Sequence, residues 1–294
     1  MPPSQVHALL HRASRVVGAA TQGEPLETGT GELLAHRDGA VAVLTLNRPR
    51  ARNSLSDELS PALRRMFSRL RDEPAVRCVV LTGTGTAFCS GGDVKGMGGG
   101  SSAGAPRTPE GAVAELTERQ VTLTGALHTL PQPTIAALPG PAVGAGLAIA
   151  LACDLRIAAE SAFVSTGFAN VGLSGDYGVS WFLPRLVGPA RAKELFFTAE
   201  RIGATECERI GLVNRVVPDA ELISETMRLA HRVADGPTIA YRHMKANLDR
   251  ALATDLATQL AHEAEGTVAC ARTEDHREAV RAFVEKRTPT LRGR

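Results

Sequence analysis

Aromatic residues are scarce in this chain of 294 residues, at 4% of the sequence, with one tryptophan and two tyrosines. So low a content argues against the aromatic platforms on which single-stranded nucleic acids stack. An excess of either charge is also absent, because 33 basic residues face 31 acidic ones and leave a net charge of +2. Without a broad basic field, nucleic acid is not an expected partner.

Long hydrophobic runs and paired cysteines are missing as well. No run approaches the roughly 18 apolar residues of a membrane-spanning helix, so we expect no membrane partner. The cysteines form no CxxC pair and no zinc-ligand spacing, which argues against a disulfide framework and a metal site. Their scattered, odd number favours a reducing compartment, and we expect a cytoplasmic protein. They are Cys78, Cys89, Cys153, Cys207 and Cys270.

The composition that remains is that of an ordinary globular protein, with 44% hydrophobic and 22% charged residues. The length allows one large core, or a core with a small appended domain. We interpret residues 1–30 as a flexible extension, residues 31–215 as a core and residues 216–294 as a helical region. Because strands alternate with helices through the first two thirds, the predicted class is α/β.

Hydrophobic patterns place the individual elements. Glu32–His36 and Val41–Leu46 flank Asp38-Gly39, which predicts a β-hairpin. Apolar residues at helical spacing predict a helix from Ser56 to Arg71, with Ser56 as its cap. The other predicted helices are 110–130 and Gly144–Cys153, and the other predicted strands are Val76–Leu81, Thr134–Leu138, Leu155–Ala158, Ala162–Val164 and Val213–Val217.

Two glycine-rich turns follow predicted strands. Ala87–Asp93 contains Gly91-Gly92 and comes after one strand, while Pro139–Gly146 comes after the next and opens an apolar helix. Paired glycines let the backbone approach a ligand, and a helix N-terminus presents free N–H groups. Two such turns at neighbouring strand ends can direct two donors at one oxygen, as an oxyanion hole does. Tight packing is the alternative, whereas a dinucleotide fingerprint is excluded because its third glycine is absent.

Several ordered motifs over residues 31–290 resemble those of the crotonase (enoyl-CoA hydratase/isomerase) family. The resemblance implies a spiral core of ββα units with a C-terminal helical trimerisation region, in a homotrimer or a dimer of trimers. It also implies an acyl-CoA thioester substrate and no prosthetic group. The motifs are Asn47-Arg48-Pro49 with Arg52-Asn53-Ser54-Leu55, Phe88–Asp93, Gly140–Asp154, Gly172-Leu173 with Leu183–Gly188, and Ala282–Arg287.

By position, the same resemblance assigns the two oxyanion donors to the backbone N–H groups of Gly92 and Ala145. Ala145 stands where the family usually has glycine, but its backbone N–H is retained. Asp93 has a second interpretation, in which it orders its own loop. The residues expected around coenzyme A are Arg50, Ala51, Arg52, Ser90, Gly92, Asp93, Lys95 and, from a neighbouring subunit, Lys286.

The reaction is predicted from the acidic residues at the site. Hydratases of the family carry two glutamates, and their positions hold Ala148 and Phe168 here. Neither side chain can transfer a proton. Asp176 is the remaining acid, and its Gly-Leu-x-x-Asp-x-Gly setting resembles family members that move double bonds. We therefore predict isomerisation with Asp176 as proton shuttle and its pKa raised by an apolar wall such as Phe168.

Three alternatives stay open for this site. Asp176 can instead be the N-cap of a helix starting at Tyr177. The protein can be a hydratase in which Asp176 alone activates water. It can also be a CoA-ester binding protein without catalysis, since both glutamates are missing.

Overall fold

A mixed sheet of seven strands forms the centre of the computed structural model, which describes residues 23–92 and 108–294. A second, smaller sheet has three strands. The strands within the described ranges are β1 (Glu24–Pro25), β2 (Leu33–Asp38), β3 (Val41–Leu46), β4 (Cys78–Gly83), β5 (Thr134–Leu138), β6 (Ala142–Val143), β7 (Leu155–Ala159), β8 (Phe163–Ser165), β9 (Ile202–Gly203) and β10 (Arg215–Val217).

The large sheet runs in the order β1-β2-β3-β4-β5-β7-β10. Strands β1, β2 and β3 pair antiparallel, which confirms the predicted hairpin, and Gly39 turns it with a φ of 58°. From β3 to β10 all pairs are parallel. Parallel strands need crossover connections, and helices supply most of them, so the carboxyl ends of β4 and β5 meet at one edge.

The helices of the described residues follow the predicted pattern closely. The segment predicted as one helix over 110–130 is continuous in path but contains a five-residue π-helical turn, Val121–Gly125. The α-helices are α1 (Leu59–Arg71), α2 (Pro109–Gln120), α3 (Ala126–His128), α4 (Ala145–Ala152), α5 (Val179–Val187), α6 (Pro189–Thr198), α7 (Ala204–Arg209), α8 (Leu222–Ala234), α9 (Thr238–Ala251), α10 (Leu256–Ala271) and α11 (Glu274–Glu285).

Alternation along the parallel strands divides the core into two faces. Leu44 and Leu81 belong to one hydrophobic cluster, which also contains residues of α1 and α4. Val43 and Val80 point to the opposite face, where α8 contributes residues such as Leu229. Because both faces are covered by helices, the parallel strands are mostly apolar, as expected for parallel sheets.

The ends of the chain relate to this core in different ways. Of the predicted extension 1–30, residues 1–22 lie outside the described residues, whereas Glu24–Pro25 pair with His36 and Arg37 of β2. The region predicted to be helical from residue 216 begins with the last two residues of β10, and its first α-helix, α8, packs on the sheet. In the described ranges, none of the helices combines the length and apolarity needed to cross a bilayer.

Candidate active site

The two glycine-rich turns meet at the carboxyl ends of β4 and β5. Val143 donates its N–H to the Cys89 carbonyl at 3.0 Å, and Cys89 donates to Pro141 at 3.1 Å. A Cβ added to Gly146 would lie 2.2 Å from the Cys89 carbonyl oxygen, so only glycine allows this approach. A Cβ on Gly91 would lie 3.4 Å from the Ala145 nitrogen. The structure thus brings together the two turns that the sequence predicts as oxyanion loops.

The amides of Gly92 and Ala145 are both available at this junction. Ala145 is the first residue of α4, where an N–H has no acceptor within the helix. Gly92 forms a parallel bridge with Leu55, whose N–H donates to the Gly91 carbonyl at 2.8 Å. In that pairing the N–H of Gly92 points away from Leu55. Neither amide donates a hydrogen bond to another described residue.

The segment expected to contact coenzyme A lies beside the first turn. Ser90 donates its N–H to the Arg52 carbonyl at 3.0 Å and its hydroxyl to the Ala51 carbonyl at 3.3 Å. Arg50 and Arg52 are exposed, whereas Ala51 is half-buried. Four of the predicted residues, Arg50, Ala51, Arg52 and Ser90, therefore form one continuous surface next to Gly92.

Asn53 organises this surface, a role that sequence reasoning missed. Its side chain is fully buried, accepts the Arg48 N–H at 2.8 Å and donates to the Ala87 carbonyl at 2.8 Å. It also donates to the Thr84 carbonyl at 3.0 Å, and its φ of 57° is left-handed. Asparagine tolerates that conformation, which is the signal that identifies it within the Arg-Asn-Ser-Leu motif.

Asp176 lies in a turn of left-handed residues between β8 and α5. Gly175, Tyr177 and Gly178 have φ values of 106°, 50° and 83°. The prediction that Asp176 caps a helix from Tyr177 is wrong, because α5 begins at Val179 with Gly178 as its N-cap and no side-chain cap bond. Because the backbone of Tyr177 is left-handed, an α-helix cannot begin at this residue.

The Asp176 carboxyl group is partly buried. Its Oδ1 atom is inaccessible and forms no hydrogen bond with any described residue. Burial raises the pKa of Asp176 from its ordinary 3.8 to about 6, because the charged form loses solvation. This carboxyl group can exchange a proton near neutral pH.

Phe168 forms an apolar wall between the two parts of the site. A Cβ added to Gly144 and one added to Gly175 would each lie 3.9 Å from its ring. Phe168 is 5% exposed and stacks on Phe196, with ring centroids 6.2 Å apart. The side chain at the second glutamate position therefore fills space between the oxyanion helix and the Asp176 turn.

The first glutamate position is closed in a different way. Ala148 is fully buried inside α4, where a longer acidic side chain would have no room without repacking.

Cys89, inside the first turn, is also fully buried, and burial raises the pKa of its thiol to about 12. A thiol with this pKa stays protonated and is not a nucleophile.

Tyr177 is almost fully buried next to Asp176 and belongs to the main hydrophobic cluster. Burial, followed by the Asp176 carboxylate, raises the pKa of its hydroxyl. Its backbone N–H donates to Oε1 of Gln120 at 2.8 Å. Gln120 is another residue that the sequence did not identify, since 57 positions separate the pair.

Three predicted residues stay predictions, because two are not described and the third is expected from a neighbouring subunit. Asp93 and Lys95 lie outside the described residues. Lys286 is exposed at the end of α11, and no hydrogen bond or ion pair within the described ranges connects it to Ser90 or Arg52. Across those ranges no group of three or more His, Cys, Asp or Glu side chains is arranged to hold a metal ion.

Known proteins are similar to this chain over nearly its whole length. A family model described as "Enoyl-CoA hydratase/isomerase" matches residues 36–294. The "Short-chain-enoyl-CoA hydratase" of Clostridium acetobutylicum is 35% identical over 256 residues, covering 87% of this chain and 95% of the relative. The "1,2-epoxyphenylacetyl-CoA isomerase" of Escherichia coli is 35% identical over 263 residues, covering 89% and 98%.

Solved structures agree with the sequence matches. The crystal structure of an enoyl-CoA hydratase from Bacillus anthracis superposes with a TM-score of 0.83 at 35% identity, covering 90% of this chain and 100% of the other. The predicted α/β fold of the crotonase type is confirmed by this similarity. The chain therefore belongs to the enoyl-CoA hydratase/isomerase, or crotonase, family of enzymes.

Proposed function

We propose that this enzyme moves a carbon–carbon double bond in an enoyl-CoA thioester, with Asp176 as the proton shuttle. For a 3-enoyl thioester, the Asp176 carboxylate takes a proton from C2, and the electrons of that C–H bond form a dienolate. The double bond then lies between C2 and C3 once the protonated Asp176 returns the proton to C4. Proton number and charge are conserved through the cycle.

The state of the Asp176 carboxyl group is the observation that carries the proposal. A general acid–base is most efficient when its pKa lies near the operating pH, and burial brings the pKa of Asp176 to about 6. Its Oδ1 has no hydrogen-bond partner in the described residues, so no hydrogen bond to them has to break before that oxygen meets a substrate. With Ala148 and Phe168 at the glutamate positions, a single acid must both take and return the proton.

The enolate oxygen formed in this reaction needs hydrogen-bond donors. We assign that role to the Gly92 and Ala145 amides, since neither donates elsewhere among the described residues and their loops are in contact. A pre-oriented donor of this kind contributes about 2.7–4 kcal/mol to transition-state stabilisation in other enzymes.

Coenzyme A is the expected carrier of the acyl group. The exposed guanidinium groups of Arg50 and Arg52 suit its phosphates, and they border the turn that contains Gly92. We assign the coenzyme A moiety to this surface and propose Asp93, Lys95 and a neighbouring subunit's Lys286 as further contacts. No prosthetic group is required by the proposed reaction.

A homotrimer, or a dimer of trimers, is the assembly that we propose. Large apolar side chains stay exposed on α9, α10 and α11 of the single chain, which marks an interaction surface. Phe283 is 85% exposed and Leu256 is 73% exposed. Covering them would bring a neighbouring subunit's helices next to the chain.

Hydration is the second candidate, and one observation favours it. The Clostridium acetobutylicum relative, at 35% identity, is named a short-chain-enoyl-CoA hydratase. In this alternative, Asp176 takes a proton from water as the water oxygen attacks C3, and the protonated Asp176 then delivers that proton to C2. The product is heavier than the substrate by one water, whereas isomerisation leaves the mass unchanged.

An Asp176→Asn variant tests the proposal. We expect a loss of about 10²–10⁴-fold in kcat, the usual contribution of a general acid–base, with binding of a saturated acyl-CoA retained. The assay follows 3-enoyl-CoA and 2-enoyl-CoA by mass spectrometry and NMR, and Asp57→Asn, at an exposed site, is the control. Full isomerase activity of Asp176→Asn contradicts the proposal, and a water-added product supports the hydratase instead. Wild-type protein that binds but does not convert any enoyl-CoA would indicate a binding protein.

A further inference from the structure

The direction of the Asp176 carboxylate depends on its backbone. Its Oδ1 has no hydrogen-bond partner in the described ranges, so no polar contact of that atom fixes the side chain. The flanking residues are left-handed on both sides, with a φ of 106° at Gly175 and 50° at Tyr177. Any change in this turn would therefore move the carboxylate.

Tyr177 is the strained member of the turn. Glycine adopts positive φ freely, but a side chain such as that of tyrosine crowds its own backbone there. A conformation of this kind persists only when the surroundings hold it. The Tyr177 ring is buried in the core, and the Val179 N–H donates to the Asp176 carbonyl at 3.2 Å.

The backbone N–H of Tyr177 has its polar contact with Gln120. The Tyr177 N–H donates to Gln120 Oε1 at 2.8 Å, a distance typical of a good hydrogen bond. Gln120 is the last residue of α2, and the π-helical turn Val121–Gly125 follows it directly. The Thr124 hydroxyl donates to the Gln120 carbonyl at 3.2 Å inside that turn. Such π turns are rare and occur frequently at functional sites.

We infer that Gln120 is a positioning residue for Asp176: its carboxamide holds the Tyr177 amide, and with it the left-handed turn that directs the carboxylate at the substrate. This inference rests on the proposed function of Asp176. A neutral amide suits the task, because it accepts the N–H without adding a second anion beside the carboxylate.

The test compares Gln120→Met with Gln120→Glu in the full-length enzyme. Methionine keeps the length of the side chain but removes the acceptor, and we expect kcat for isomerisation to fall about 10–100-fold with KM nearly unchanged, since small misplacements have effects of that size. Glutamate restores the acceptor, so its kcat should recover most of the loss when each variant is measured at its own pH optimum.

Gln132→Met is the matched control. Gln132 is buried and donates through Nε2 to the Leu70 carbonyl at 2.7 Å, so the variant likewise loses one hydrogen bond between a glutamine side chain and the backbone. It should unfold at a lower temperature and keep its kcat. A wild-type kcat in Gln120→Met, an equal loss in Gln132→Met, a change in KM alone or no recovery in Gln120→Glu would each overturn the inference.

Asp176→Asn separates this inference from the proposed function. If that variant is fully active, Asp176 is not the proton shuttle and the proposed function is wrong. If it is inactive while Gln120→Met behaves as wild type, only the role of Gln120 is wrong.

Discussion

The hydrogen bonding of polar groups differs between the active-site turns and the C-terminal region. In the turns, the Asp176 Oδ1 atom and the Ala145 N–H have no partner within the described residues. In the C-terminal region, Asp275 is 3% exposed, yet its carboxylate accepts the Arg292 N–H at 2.6 Å and the Gly293 N–H at 2.8 Å. Two aspartates of one chain, the half-buried Asp176 and the buried Asp275, thus have opposite surroundings.

The contrast explains why one aspartate serves stability and the other chemistry. Buried polar groups are almost always hydrogen-bonded, and an exception requires a reason. Asp275 follows the rule and fastens the end of the chain to α11. Arg77 adds to this fastening, since it donates to the Leu291 carbonyl at 3.0 Å and to the Thr238 hydroxyl at 2.7 Å. Asp176 breaks the rule where a substrate would complete its hydrogen bonds.

The largest effect is expected from removing a single N–H in the site. Ala145→Pro eliminates the proposed donor at the first position of α4, where proline fits a helix best. We expect kcat to fall about 10²–10³-fold, as for other oxyanion-hole donors. Steady-state kinetics measure the loss, and circular dichroism checks the fold.

Glu274→Pro provides the matched substitution in the C-terminal region. Glu274 is the first residue of α11 and exposed, so the same change removes an N–H that no reaction needs. Its kcat should stay near that of wild type. If the two variants have the same kcat, the proposed difference between the two regions is wrong.

A smaller effect, on stability alone, is expected at the fastened chain end. Asp275→Ala leaves the backbone N–H groups of Arg292 and Gly293 without their acceptor. We expect the free energy of unfolding to fall by about 1.5–3 kcal/mol, the usual range for hydrogen bonds to a charged group. Urea unfolding measures the change, with Asp57→Ala at an exposed position as the control. An unchanged unfolding curve would show that the chain end contributes nothing.

The sequence predicts the elements well because their signals are local. Thr134–Leu138 is a strand with the predicted bounds, and the helix predicted over Gly144–Cys153 runs from Ala145 to Ala152. Period and turn residues carry that information within a few positions. The two glycine-rich turns could likewise be predicted, because each follows a predicted strand. Their contact is a consequence of the parallel sheet, in which the carboxyl ends of neighbouring strands lie at the same edge.

The finer features of the site depend on contacts between distant segments. A Ser-Gly-Asp sequence favours a helix cap by local rules. Because Tyr177 is left-handed, however, α5 begins only at Val179. The acceptor that meets Tyr177 is 57 residues away, beyond any local pattern. The π-helical turn beside Gln120 is equally invisible, since its residues have ordinary helical spacing.

The smallest expected effect is a pH dependence of folding stability, which tests the contrast between Asp176 and Asp275. Burial raises the pKa of Asp176 to about 6, above its ordinary 3.8 in an unfolded chain. The folded protein therefore holds this proton more tightly than the unfolded chain does. Ionisation of Asp176 therefore lowers the stability of wild type as the pH rises from the pKa of the unfolded chain to that of the folded protein. Above the folded-state pKa the loss of stability is complete.

Asp176→Asn removes this dependence because an amide stays neutral. Near pH ~4 the variant and wild type should be about equally stable, and near pH ~8 the variant should be more stable by about 1–2 kcal/mol, a value reduced for the solvent that reaches this partly exposed group. Urea unfolding across the range measures the difference, and Asp57→Asn should show none. A less stable Asp176→Asn at high pH would mean that the ionised carboxylate is satisfied in the fold, as that of Asp275 is, and would remove the reason to assign it the proton transfer.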